Sequence, residues 1–220
     1  MKVLIACEYS GTVRDAFIQA GHDAMSCDLL PTDIPGPHYQ GDVFDVIGDG
    51  WNLMIAHPPC TDLAVSGAAW FKEKIADGRQ QFALDFVKKL MEADIPKICI
   101  ENPISVISSK IRRPDQIIQP YQFGHLETKA TCFWLKGLPL LEPTSDLKMQ
   151  TMALPERERS KIHYLPPSHD RWKLRSKTYK GIADAMASQW GGDFENHCLI
   201  LLERYAKQPN RNHTRPKQSR

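Results

Sequence analysis

Residues 2–28, KVLIACEYSGTVRDAFIQAGHDAMSCD, decide the fold. KVLIAC (2–7) is an apolar run that reads as a buried strand, ending at Glu8-Tyr9-Ser10-Gly11. From Thr12 the period changes: Val13, Ala16, Phe17 and Ala20 recur at helical spacing until Gly21 stops the helix. DAMSCD (23–28) then reads as a second strand ending on an acid. Strand, turn, helix, strand is the opening of a parallel α/β sheet.

Working outward, residues 29–41 hold three prolines and two glycines and read as a loop. VFDVI (43–47) reads as a short strand or as the lead into a helix. WNLMIA (51–56) is a third strand, cut off by Pro58-Pro59. A helix is predicted over 79–93, with Phe82, Leu84, Phe86, Val87, Leu90 and Met91 on its buried side. KICIEN (97–102) is a further buried strand. Residues 116–123 and 130–135 are candidate later strands, antiparallel at the sheet edge. Residues 136–176 contain five prolines and few periodic runs, so 137–176 reads as a small insert. Helices are predicted at 180–190 and 195–206. The remainder, 207–220, reads as a basic, disordered tail on a single domain spanning 1–206.

Lys plus Arg number 28 and Asp plus Glu 26, a net charge of +2 that does not by itself argue for nucleic acid. The six cysteines form no Cys-x-x-Cys pair and have no zinc-ligand spacing, so reduced thiols and no metal are expected. The N-terminal apolar run is too short for a signal segment or a membrane span, so a cytoplasmic protein without membrane contact is expected. Nothing in the chain sets an oligomeric state.

In open parallel sheets, ligands bind beyond the carboxyl ends of the strands. Glu8-Tyr9-Ser10-Gly11, Asp28, His57-Pro58-Pro59-Cys60 and Glu101-Asn102-Pro103 all fall at such ends. Cys60 alone reads more readily as an inert buried thiol; following a strand and two prolines that fix its backbone approach, it reads as a nucleophile. Glu101, if buried and partly protonated, is suited to hydrogen-bond a substrate. His57 reads as a structural histidine. Cys7, Cys27, Cys99, Cys132, Trp134 and Trp190 read as core. The basic residues between Arg157 and Lys177, interleaved with His163, Tyr164 and Trp172, read either as a phosphate-tracking surface or as a solvated loop face.

These motifs carry a resemblance. Pro59-Cys60-Thr61-Asp62-Leu63-Ala64-Val65-Ser66-Gly67 resembles the Pro-Cys-Gln-x-Phe-Ser-x-Ala-Gly nucleophile motif of cytosine-C5 DNA methyltransferases. Ile100-Glu101-Asn102-Pro103 is similar to their Glu-Asn-Val motif. Leu4 to Gly11 resembles the cofactor-binding first motif, and Gly181 to Ala187 the last one. All four occur in family order between residues 4 and 190.

The resemblance implies a Rossmann-like sheet with helices on both faces, S-adenosyl-L-methionine as cofactor and DNA as partner. It implies Cys60 as nucleophile, Glu101 as the group at the cytosine N3 edge and Asn102 as an orienting group. Glu8, Tyr9, Ser10 and Gly11, with the helix that follows, would hold the methionine carboxylate through backbone N–H groups. Asp28 would bind the ribose, Asp42 the adenine, and Pro58 would border the cofactor. Ser66, Lys129 and Thr131 would contact the substrate. The chain departs from the family's Phe-x-Gly-x-Gly turn, keeping only Gly11. It also departs from Gln-x-Arg-x-Arg, the motif that supports the glutamate, at Glu127-Thr128-Lys129-Ala130-Thr131. The small insert leaves RNA, single-stranded DNA or a cytosine nucleotide open as substrate, and the departures leave open a catalytically inactive binding protein. An amino-methyltransferase would place an aromatic residue after the two prolines, where this chain has Cys60.

Overall fold

A computed structural model describes residues 1–192. The predicted helix at 195–206 and the tail at 207–220 lie outside the described residues. The elements run β1 (Lys2–Ala6), α1 (Thr12–Gln19), β2 (Asp23–Asp28), β3 (His38–Gln40), β4 (Leu53–Ala56), α2 (Phe71–Ala76), α3 (Arg79–Met91), β5 (Lys97–Pro103), α4 (Ile107–Lys110), β6 (Gln116–Ile118), β7 (Thr131–Lys136), α5 (Lys148–Ala153), α6 (Glu156–Arg159), α7 (Arg171–Ser176) and α8 (Lys180–Trp190). Three short 3-10 helices, Val43–Asp45, Val65–Trp70 and Pro120–Gln122, join them.

The seven strands form one sheet in the order β3-β2-β1-β4-β5-β7-β6. The pairs from β3 to β5 are parallel, while β7 runs antiparallel to both β5 and β6. With helices packed on both faces, this is a Rossmann-like sheet.

Alternate residues of each strand feed opposite faces, so the sheet has two cores. Val3, Ile5, Leu53, Ile55 and Phe133 pack with α1 and α8 on one side. Leu4, Ala6, Met54, Ala56, Ile98, Ile100 and Trp134 pack with α3 and α4 on the other. Trp134 and Trp190 are buried core side chains, as are Cys27, Cys99 and Cys132.

Several local expectations change. VFDVI is neither strand nor long helix: the Asp42 carboxylate accepts from the Phe44 N–H at 3.0 Å and caps a 3-10 turn instead. Part of the expected loop at 29–41 is β3, aligned on β2 with Ser26 opposite His38. The strand expected over 116–123 stops at Ile118, because Pro120 opens a 3-10 turn. The stretch 137–176 carries only the short helices α5, α6 and α7.

Arg14 explains the order of the β2–β3 loop. It is completely buried; its guanidinium donates to Ser26 and Thr32 hydroxyls at 3.2 Å each and to the Ile34 carbonyl at 2.9 Å, with Asp15 at 2.8 Å. Gly11 is at φ +74°, and a Cβ there would lie 2.6 Å from the Arg14 guanidinium. The one glycine kept from the family turn thus serves both the left-handed helix entry and the room that Arg14 needs.

Candidate active site

The sheet register assembles the site. Ala56 pairs with Ile100 across β4 and β5, so His57 and Glu101 leave neighbouring strands at the same height. His57 Nδ1 lies 3.0 Å from Glu101 Oε2, with both side chains largely buried. On the other side of β5, Asn102 opposes Cys132 and Pro103 opposes Thr131. That antiparallel pairing delivers Lys129 to the same end of the sheet.

The loop that carries Cys60 is anchored at both ends. Asn102 Nδ2 donates to the Pro58 carbonyl at 2.9 Å. Beyond Cys60, the Leu63 and Ala64 N–H groups return to the Cys60 carbonyl at 3.1 and 2.9 Å. Val65 N–H donates to Ile104 O, and Val106 N–H to Leu63 O, stitching the loop to the segment after β5. Lys74 on α2, itself buried, donates to the Thr61 carbonyl and lies 3.3 Å from the Asp62 carboxylate. Cys60 itself is exposed. Partial burial of its sulfur, then the negative charge of Glu101, push the thiol pKa up, opposed by Lys129 and Arg175. Cys60 is therefore a thiol at rest.

Glu101 departs from the partly protonated acid expected of it. Burial raises its pKa, but the hydrogen bond and charge of His57, with Lys129, outweigh burial and hold it below the usual carboxylate range. Burial lowers the His57 pKa, yet Glu101 and then Glu8 carry it above the ordinary value. Each group thus favours the charged form of the other. His57 is the hydrogen-bonded histidine expected, and its partner is Glu101. The usable signal was strand length: His57 and Glu101 each stand four residues past a paired position, Leu53 and Lys97.

A cleft of about 830 Å³ opens beside this cluster, beyond β1, β2 and β4. Asp28, Asp42, Val43, Phe44 and Pro59 line it, with Phe82 and Phe86 of α3 across from them. Asp28 Oδ1 accepts from the Leu30 N–H at 2.9 Å, and burial raises the Asp28 pKa. An acid beside an apolar, aromatic slot suits an adenosine. Pro59 rather than Pro58 borders the cleft; Pro58 is buried beneath it.

The first turn is arranged differently from the expected backbone cradle. Glu8 is buried and its carboxylate accepts from the Val13 N–H at 2.8 Å, the Arg14 N–H at 3.3 Å and the Ser10 hydroxyl at 3.0 Å. Thr12 N–H donates to Ser10 Oγ at 3.3 Å. The N–H groups of Thr12, Val13 and Arg14 at the helix start are thus engaged within the chain. The Tyr9 hydroxyl shares a hydrogen bond with Ser176 Oγ at 2.8 Å, and its ring packs on Trp172 with centroids 5.7 Å apart.

The expected substrate contacts divide. Lys129 Nζ donates to the Arg175 carbonyl at 2.9 Å and faces the Tyr179 ring. The Thr131 hydroxyl is buried and donates to the Lys129 carbonyl at 3.2 Å. Ser66 sits exposed on the 3-10 helix after Cys60. The basic stretch is partly paired internally: Lys161 with Glu127 at 2.9 Å and Lys177 with Asp33 at 3.0 Å. Among the described residues no cluster of His, Cys, Asp or Glu suits a metal ion, and no helix is long and apolar enough to cross a membrane.

No family model matches the sequence, and no curated protein matches it. Among solved structures it is similar to one from E. coli described as a "putative DNA modification methyltransferase encoded within prophage", with a TM-score of 0.48 and 17% identity. The match covers 66% of this chain and 51% of that one, so this chain spans about half the length of the structure it matches. A likeness of this degree bears on neither activity nor substrate.

Proposed function

We propose that the protein transfers a methyl group from S-adenosyl-L-methionine to carbon 5 of cytosine in DNA, with Cys60 as the covalent nucleophile. The observation that carries this reading is the convergence, at the ends of β4 and β5, of an anchored cysteine loop and a buried carboxylate. Cytosine is a weak nucleophile at carbon 5. A thiolate bonding to carbon 6 moves the ring's electrons toward carbon 5 and N3, making carbon 5 reactive. Glu101 faces the N3 edge and receives the exocyclic amino group. Asn102 fixes Pro58, and so the approach of Cys60. Lys129 opposes the negative charge of Glu101 and favours the thiolate.

The cofactor supplies the electrophilic methyl group. Asp28 would hold its ribose, Phe44 and Val43 its adenine, with Asp42 shaping the turn that carries them. Glu8, with its carboxylate turned into the helix start, suits the methionyl ammonium better than the carboxylate. Tyr9, Ser10 and Gly11 then act by fixing Glu8 and the turn. Ser66 and the exposed basic residues of 137–176 would meet the nucleic acid, and a duplex target base would have to be flipped out of its stack. The three short helices of that segment favour limited sequence reading, which keeps single-stranded DNA, RNA or a cytosine nucleotide as the second reading.

The test is incubation with labelled S-adenosylmethionine and DNA containing 5-fluorocytosine, where the fluorine blocks the final elimination. A covalent complex that disappears in Cys60→Ala is expected. No complex on duplex DNA, single-stranded DNA or RNA would overturn the chemistry. Bisulfite sequencing of DNA from expressing cells would give the modified positions.

A further inference from the structure

We propose that His57 is the positioning residue of the reaction, orienting Glu101 and storing the proton that Glu101 hands to the base. This rests on the reading of Glu101 as the group at the N3 edge. Among the described residues His57 is the one side chain hydrogen-bonded to Glu101. The residues that align with the family's supporting motif have other partners: Lys129 Nζ holds the Arg175 carbonyl and Thr131 holds the Lys129 carbonyl. The side-chain support for Glu101 comes from the residue after β4, not from β7.

The imidazole is well fixed for this role. Its backbone N–H donates to the Ala6 carbonyl at 2.9 Å, tying His57 to β1 as well as β4. Its side chain is 10% exposed, and Nε2 is buried with no partner among the described residues. Glu101 is therefore its anchor. The charged groups that act on it come from three further elements: Glu8 after β1, Asp28 after β2 and Lys129 before β7. Two of these three are acidic and, with Glu101, favour the imidazolium.

The proton balance is simple. Cys60, exposed on its loop, first loses its S–H proton to solvent; as the resulting thiolate bonds to carbon 6, the ring's π electrons shift and a lone pair builds on N3. The Nδ1–H bond of His57 breaks, the proton passes through the Glu101 carboxyl, and an N3–H bond forms. His57 ends neutral, Glu101 ends ionised and the thiolate's charge is consumed. At the end of the cycle the carbon-5 proton is lost to solvent as the Cys60 thiolate leaves carbon 6, and the N3 proton returns through Glu101 to His57. Transient protonation of Glu101 also removes the negative charge that raises the Cys60 pKa, so base activation and thiolate formation favour each other.

The experiment compares wild type with His57→Gln, which keeps an amide donor but cannot store a proton. Single-turnover adduct formation on 5-fluorocytosine DNA is followed across pH, with cofactor affinity measured separately by calorimetry. In wild type an alkaline limb is expected with its midpoint above the ordinary histidine value. In His57→Gln the rate is expected to fall by about 100-fold, the low end of general acid–base effects, with that limb lost and cofactor affinity unchanged. An unchanged rate and limb in the variant, with a normal wild-type adduct, overturns the role of His57 and leaves the cysteine chemistry standing. No wild-type adduct overturns both. In folded wild type, a His57 ring resonance that titrates at or below the ordinary value, or that does not move down in Glu101→Gln, overturns the proposal without any His57 variant.

Discussion

Asn102 Nδ2 and the Pro58 carbonyl, 2.9 Å apart and both buried, join the end of β5 to the start of the loop that carries Cys60. The bond crosses 44 residues of sequence, so the direction in which the loop leaves β4 is set by the neighbouring strand. Asn102→Ala leaves the carbonyl without its donor in a dry place. The expected cost is about 1–3 kcal/mol of stability, read from thermal unfolding. Adduct formation by Cys60 is expected to fall by about 100-fold, the scale of a 1 Å misplacement, while cofactor affinity holds. A variant with wild-type adduct rate would show that the loop keeps its course unaided.

Lys74 gives a second, separable prediction. Its ammonium is buried against the Thr61 carbonyl and Asp62, pinning the two residues that follow Cys60. Lys74→Met keeps most of the stem's packing and removes the charge, leaving Asp62 unpaired beside the loop. Faster hydrogen exchange over residues 60–67 and faster alkylation of Cys60 by iodoacetamide are expected. Exchange confined to its wild-type rate would show that the contacts of Val65 with Ile104 and of Leu63 with Val106 suffice to hold the loop.

The His57–Glu101 pair also predicts how stability varies with pH. The folded pKa of His57 is raised, so its contribution is fully present below the unfolded value, about 6.5, and is lost as pH rises through the higher folded value. That of Glu101 is lowered, so its contribution is present above the unfolded value, about 4.3, and is lost as pH falls through the lower folded value. The difference in melting temperature between wild type and His57→Gln is therefore expected to be greatest between about pH 4.3 and 6.5. A difference that grows toward pH 9 would contradict the assigned charges.

The parts of the molecule legible in sequence are those where periodicity is long and local. β1, α1 and β2 announce themselves because an apolar run gives way to helical spacing within one short turn. α8 is equally plain, with Ile182, Ala183, Met186 and Ala187 on one buried face. β3 is not legible, because it is three residues long and its place on β2 depends on the tethered loop over Arg14. The segment from Val65 to Ala76 gave no signal because its apolar residues Val65, Trp70 and Ile75 are exposed, so no helical stripe forms. The candidate site residues follow from motifs, but the link between His57 and Glu101 comes from strand register. Register is a pairing between distant segments, and a single sequence does not state it.

Asp28 provides the prediction that isolates the cofactor from the base. Its carboxylate lies at the end of β2 on the wall of the cleft, with one oxygen turned to the Leu30 N–H. The other is available to a ribose hydroxyl, a charge-assisted bond worth about 1.5–3 kcal/mol. Asp28→Ala is expected to weaken S-adenosylhomocysteine binding by about 10- to 100-fold, measured by calorimetry, with the fold intact. The sign of the pH effect follows from burial, which raises the Asp28 pKa: accepting from the hydroxyls needs the ionised form, so wild-type affinity should fall on the acid side at a pH above the ordinary aspartate value. Asp28→Asn should show weaker binding without that acid limb. Equal affinity in wild type and both variants would place the ribose elsewhere in the cleft, toward Asp42 or Asp62, and would move the adenosine with it.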